Sequence, residues 1–228
     1  MNPLNVLFLD CSSRRGNSTS RHFSEHLLAA LATRFGREIR ITRRNLGTEP
    51  LPALSAEYAD ALVMSGAAAR QQFGAALSLS DQLIDELDRA DVLWISTPVH
   101  NFTVPAVLKN WIDQVVRRDV TFAIGEHGKV GLLRDRPTFV AVTAGGAMFR
   151  EPPLQPDFFR PYLTAVLGVI GLKDVTFVPV AGVAFVDQPL SFVQTKALQW
   201  LDEQRKREGP AHAADDARAT ASQGVHDE

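Results

Sequence analysis

Five short apolar runs punctuate the chain, and between them the apolar positions fall at a spacing of three to four residues. Residues 6–9, 92–97, 138–143 and 175–180 are runs bounded by polar, proline or glycine positions, which predicts strands buried on both faces. Residues 38–43 differ. There Ile39 and Ile41 alternate with charged residues, as in a half-buried edge strand. Helical spacing places Phe23, Leu27, Ala30, Leu31 and Phe35 on one stripe, ended by Gly36. Residues 58–69 are helical but weakly patterned, and residues 80–89 are stronger, with Leu83, Ile84 and Leu87 on one face. A helix over 105–117 opens on a proline, tolerated in a first turn, and presents Val107, Leu108, Trp111, Ile112 and Val115. Residues 157–171 carry Phe158, Tyr162, Val166 and Ile170 in register, and a last helix is expected over residues 189–205. Residues 48–52 read as a loop. Residues 121–133 hold two short apolar pieces around Gly125–Gly128, a hairpin or an irregular excursion.

Strands alternating with helices argue for a parallel sheet covered on both faces. The expected fold class is α/β: a three-layer, flavodoxin-like fold with a five-stranded parallel sheet in the order 2-1-3-4-5. In that layout ligands sit beyond the carboxyl ends of the strands, near the switch between the first and third. Three loops leave those ends: Cys11–Ser20, Pro98–Phe102 and Thr143–Gly146. Each carries hydroxyl, proline or glycine chemistry where a generic connector would suffice. The first precedes a helix N-terminus, whose unpaired N–H groups and partial positive charge suit an anion. An ordinary turn with Asn17 or Ser18 as helix cap explains that loop equally well taken alone. The convergence of all three favours a ligand site.

Length and charge narrow the class. The 228 residues suffice for one domain, expected over 1–205, and from Lys206 large apolar residues nearly vanish, so 206–228 reads as a disordered tail. A net charge of −2 gives no reason to expect nucleic acid or an anionic membrane as partner. The lone Cys11 excludes an internal disulfide and a multi-cysteine zinc site, and at a strand end it reads as packing rather than a reactive thiol. No leader pattern or membrane-length apolar run occurs, so a cytoplasmic protein is expected. His22-Phe23-Ser24-Glu25-His26 matches an inverted zinc-peptidase pattern. Three fixed positions arise easily by chance, however, and Phe23 and Leu27 put both histidines at the margin of the helix face. No metal is expected.

The ligand follows by comparison of loop chemistry. A dinucleotide fingerprint needs several glycines in the first turn, and only Gly16 is there; a nucleotide P-loop needs a lysine that is absent. A monophosphate held by hydroxyls and N–H groups remains, which in this sheet points to FMN.

Pro98-Val99-His100-Asn101-Phe102, Leu108-Lys109-Asn110-Trp111-Ile112-Asp113 and Val120-Thr121-Phe122 resemble the P-M-Y-N-F, L-K-N-Y-F-D and G-V-T-F blocks of the FMN-dependent NADH-azoreductase and NAD(P)H:quinone oxidoreductase family. Ser12, Ser18 and Ser20 resemble its first-loop serines, and Thr143-Ala144-Gly145-Gly146 its S-R-G-G loop. The similarity runs from Leu4 to about Leu201. It implies that Ser12, Ser18, Thr19 and Ser20 hold the FMN phosphate. Val99, His100, Asn101 and Phe102 would line the flavin ring, partly through backbone N–H groups. Thr143, Ala144, Gly145 and Gly146 would cover another ring edge. It also implies a homodimer with the site at the subunit interface. The expected reaction moves two electrons from NADH or NADPH to a quinone or an azo compound by a ping-pong route. Two departures stand out: His100 replaces a common tyrosine, and Ala144 replaces an arginine of some members. His100 either packs as a flat ring or supplies a proton to the reduced acceptor. Phe122 and Phe149 are candidate substrate-pocket residues, and Trp111 reads as core. A flavodoxin-type electron carrier is the rival reading, disfavoured because such carriers are usually strongly acidic.

Overall fold

The structure, a computed structural model, describes residues 3–14, 21–25, 27–28, 38–144, 148–149 and 152–181. Five strands form one parallel sheet: β1 (Leu4–Asp10), β2 (Ile39–Arg44), β3 (Val92–Pro98), β6 (Thr138–Ala144) and β7 (Val175–Ala181). Their order is β2-β1-β3-β6-β7, all neighbours parallel. With the separate hairpin β4 (Phe122–Gly125) and β5 (Gly128–Gly131) set aside, this is the expected order 2-1-3-4-5.

Alternation along β1 builds the two faces. Leu7, Leu9 and Cys11 join a core with Leu83, Leu87, Leu108, Trp111, Phe159 and Leu163. Leu4, Val6 and Phe8 join a second core with Phe23, Leu27, Trp94 and Phe139. A strand covered on both sides needs apolar residues at every position, which is why these runs are continuous. Edge strand β2 is the exception, and Ile41, expected half-buried, is 41% exposed.

Helices α1 (Ala56–Leu62), α2 (Gly66–Arg89), α3 (Ala106–Val115) and α4 (Phe159–Val169) flank the sheet. The expected helix over 58–69 is split. Ser65 is extended, and Gly66 N–H donates to Asp119 Oδ2 at 3.1 Å, which starts a new helix. That helix continues to Arg89 through a kink at Phe73 (φ −125°, ψ 26°). Carbonyls at the end of α3 are satisfied by side chains: Tyr58 OH donates to Asp113 and Gln114 at 3.1 and 3.2 Å, and Ser80 Oγ to Gln114 at 2.6 Å.

Residues 121–133 do form a hairpin. Its base is pinned to the turn after α4: Leu133 N–H donates to Ile170 O at 3.1 Å, and a Cβ on Gly131 would lie 2.2 Å from Gly171 N. The last expected helix, 189–205, and the 206–228 tail lie outside the described residues, and no described helix is long and apolar enough to cross a membrane.

Candidate active site

The carboxyl ends of β1, β3 and β6 lie side by side, with Asp10 opposite Ser96 and Pro98 opposite Thr143. Backbone bonds then tie the departing loops together. Cys11 N–H donates to Ser96 O at 2.9 Å, and Val99 N–H to Thr143 O at 2.8 Å. The three loops singled out from the sequence therefore start at one end of the sheet, joined where they start.

The first loop opens on Ser12, 6% exposed, whose N–H donates to Asp10 Oδ1 at 3.1 Å. Arg14 N–H approaches Ser12 Oγ at 3.4 Å. Ser18, Thr19 and Ser20 lie outside the described residues, as does the cap expected at Asn17 or Ser18. Three residues that the sequence pattern does not single out complete the described part: Asp10, Arg21 and Gly47. Asp10 is 1% exposed, and its Oδ2 accepts from Arg21 Nε. Asp10 O accepts Gly47 N–H at 3.0 Å, and a Cβ on Gly47 would lie 2.2 Å from the carbonyl carbon and oxygen of Ser12. The available signals were a carboxylate closing an apolar strand and a glycine directly after Leu46. Cys11 is buried in the core; burial pushes its thiol pKa up, Asp10 adds to that, and a hydrogen bond with Thr97 opposes both.

The second loop is a tight turn. His100 N–H donates to Thr103 O at 2.9 Å and Thr103 N–H to His100 O at 3.0 Å. Between them Asn101 and Phe102 both have positive φ, 46° and 72°. This resembles a type I′ turn, for which Asn-Gly is the favoured pair; here phenylalanine stands where glycine is preferred. Each such residue carries strain on the order of 1–3 kcal/mol. The N–H groups of Val99 and His100 are consumed within the protein. Among the described residues those of Asn101 and Phe102 have no hydrogen-bond partner, so the expected backbone contribution narrows to these two. The His100, Asn101 and Phe102 side chains are exposed and Val99 is half-buried.

Of the third loop, Thr143 and Ala144 are described, both buried at the end of β6; Gly145 and Gly146 fall outside the described residues. Phe149 is half-buried against the main core, with the Arg160 guanidinium 5.2 Å from its ring centre. Phe122 opens the hairpin, buried, with Lys129 Nζ 4.9 Å from its ring centre. Trp111 is fully buried, in keeping with a core role. His26 of the zinc-peptidase pattern is not described, and among the described residues no three His, Cys, Asp or Glu gather as a metal set.

Among the described residues at this end of the sheet, Asp10 is the buried carboxylate, and both its oxygens are engaged by donors. An exposed turn with two spare amides, a half-buried valine and the buried Ser12 hydroxyl suit a planar ligand with an anionic end.

Known proteins resemble this chain closely. The family described as "Flavodoxin-like fold" matches residues 4–204. FMN-dependent NADH:quinone oxidoreductase 4 of Pseudomonas fluorescens is 43% identical over 185 residues, 81% of this chain and 87% of that protein. FMN-dependent NADH:quinone oxidoreductase 5 of Burkholderia lata is 43% identical over 195 residues, 86% of this chain and 93% of the relative. Among solved structures, an azoreductase from Bacillus anthracis superposes with a TM-score of 0.75 at 22% identity, covering 89% of this chain and 99% of the other, a likeness of fold.

Proposed function

We propose, from the premise that the chain belongs to the flavodoxin-like family of FMN-dependent NADH:quinone oxidoreductases, that it binds FMN and reduces quinones and azo compounds with NADH or NADPH. The observation that carries this reading is the junction of the three loops, bonded through Cys11 to Ser96 and Val99 to Thr143. The residues present fit the cofactor. The Asp10 charge is already answered by Ser12 N–H and Arg21, so a phosphate meets no uncompensated carboxylate there. The amides of Asn101 and Phe102 are donors suited to the polar edge of a flavin.

In this reading Ser12, Ser18, Thr19 and Ser20 hold the phosphate. Val99, His100, Asn101 and Phe102 orient the ring, and the Thr143, Ala144, Gly145 and Gly146 segment borders another edge. The bound group supplies hydride acceptance from a reduced nicotinamide and two-electron delivery to the acceptor. The protein supplies orientation, which the strained turn fixes before the ligand arrives. His100, exposed beside the turn, donates a proton to the reduced acceptor. The active unit is a homodimer with Phe122 and Phe149 near the shared site, and turnover is ping-pong.

Anaerobic titration of the FMN-loaded protein with NADH, then NADPH, tests the reading: flavin absorption bleaches with at least one and returns on adding a quinone. No bleaching with either overturns the reductase and leaves an electron carrier. In His100→Phe the bleaching step keeps its rate while reoxidation by quinone slows and loses its pH dependence; unchanged reoxidation removes the proton role.

A further inference from the structure

Residues 45–52 leave β2 at the carboxyl end of the sheet and form a strap that is held at both ends. Leu46 is buried in the core that also contains Cys11, Leu108 and Trp111, and Leu51 packs against the same core. Gly47 N–H donates to Asp10 O at 3.0 Å. A Cβ on Gly47 would lie 2.2 Å from the Ser12 carbonyl carbon and oxygen, so only glycine lets the strap press on the backbone of Ser12. Thr48 and Glu49 N–H both donate to Asn45 O, at 3.1 and 2.8 Å, which closes a turn beside that contact.

The far end is held by a side chain. Asn110, half-buried in the second turn of α3, donates from Nδ2 to Leu51 O at 3.1 Å and to Pro52 O at 3.0 Å. A carboxamide nitrogen has two hydrogens, and both are used on consecutive carbonyls of one segment. Helix α3 begins soon after the turn that sets Asn101 and Phe102 at positive φ, with Thr103 and the buried Val104 and Pro105 between them. The strap therefore joins Ser12 on the first loop to the helix that follows the second.

We infer that Asn110 is a positioning residue: through the 45–52 strap it fixes Ser12 relative to the turn at Asn101 and Phe102, and so sets the separation between the phosphate end and the ring end of the FMN site. The inference rests on the FMN reading above. Its energetic basis is preorganisation, since a separation fixed in the free protein does not have to be imposed on binding. Two other roles for Asn110 make different predictions. A residue that serves stability alone leaves the affinity of the folded protein unchanged. One that touches the ligand directly acts independently of Ser12. Asn110→Ala removes no charge and keeps a good helix former in α3, so neither Coulombic attraction nor helix propensity enters the comparison.

The test is fluorescence titration of the flavin-free, full-length protein with FMN and with riboflavin, which lacks the phosphate. Asn110→Ala is expected to weaken FMN about fivefold and riboflavin less than about twofold, because Ser12 serves the phosphate. In a Ser12→Ala background the same substitution is expected to change FMN affinity less than about twofold, since the contact it acts through is already gone. Unchanged FMN affinity in Asn110→Ala overturns the positioning role. So do equal losses for FMN and riboflavin, a loss that persists in full in the Ser12→Ala background, or a Ser12→Ala variant that binds FMN as tightly as the unaltered protein. If Asn110→Ala does not fold, Asn110→Leu, similar in size and without donors, is read in its place with the same outcomes. Failure of the unaltered protein to bind FMN would instead sink the functional reading itself, a separate result.

Discussion

The two edges of the central sheet each bury a charged residue, and they use it differently. At the amino edge, Arg136 is 2% exposed just before β6. Its guanidinium donates to the carbonyls of Leu87, Asp88 and Ala90 at the end of α2 and to Arg134 O. These are backbone groups that a helix end leaves unpaired. At the carboxyl edge Asp10 joins a strand to a loop, beside a turn that holds Asn101 and Phe102 at positive φ. One edge spends its buried charge on closing the scaffold. The other uses it to hold the start of the loop that the proposed function assigns to the cofactor. In that proposal stability and function are separated along the strand direction, as the open-sheet ligand rule leads one to expect.

Substitutions at the two edges should therefore fail in opposite ways. The largest effect is expected for Arg136→Met, which leaves several buried carbonyls without a donor. Stability falls by about 3 kcal/mol, read as a lower urea midpoint, while flavin affinity of the folded fraction is unchanged. Loss of flavin binding ahead of unfolding would break the separation of the edges.

Phe102→Gly is the counterpart at the functional edge, smaller and of opposite sign. Glycine accepts φ 72° without penalty, so the urea midpoint rises by about 1 kcal/mol of stability while FMN binds more weakly. A variant both less stable and fully competent would show that the strain is not functional.

The smallest effect is a pH dependence at the amino edge. Asp135 Oδ1 accepts the N–H groups of Lys173, Arg136 and Asp174 at 2.8, 2.9 and 3.2 Å. Partial burial acts to raise its pKa, but these bonds outweigh it and hold the carboxyl below its ordinary value. A depressed carboxylate stabilises the fold above the unfolded pKa, and that contribution vanishes as pH falls through the folded one. Asp135→Asn should thus be less stable than the unaltered protein at pH 7, with the gap closing under acid. A gap constant from pH 7 to pH 3 would exclude the linkage.

Which features were legible follows from their range along the chain. Continuous apolar runs such as residues 92–97 report burial on two faces, and that is local, so the strands could be read directly, while their order came with the flavodoxin-like layout that five such strands suit. The three loops were legible because each sits where a run stops. Asp10 and Arg21 were not, since a pairing across a separation of 11 residues follows neither the strand nor the helix period. Gly47 and Ser12 meet from different strands, and nothing in Asn-Leu-Gly-Thr announces it. Arg136, between Asp135 and Pro137, reads as solvated; only the end of α2 gives it carbonyls to serve. Phe102 is the plainest case, because phenylalanine carries no sequence signal for positive φ. At residues 58–69 a weak helical pattern hid a break that depends on Asp119, far along the chain.

The burial of Cys11 has a consequence for chemical durability. Quinones are electrophiles that arylate thiols, and the attacking species is the thiolate. This chain has one sulfhydryl, at the base of the first loop, enclosed by the core and held in its neutral form by that enclosure. Under the proposed function, in which such acceptors are met repeatedly, the chain thus offers them no accessible thiol to arylate.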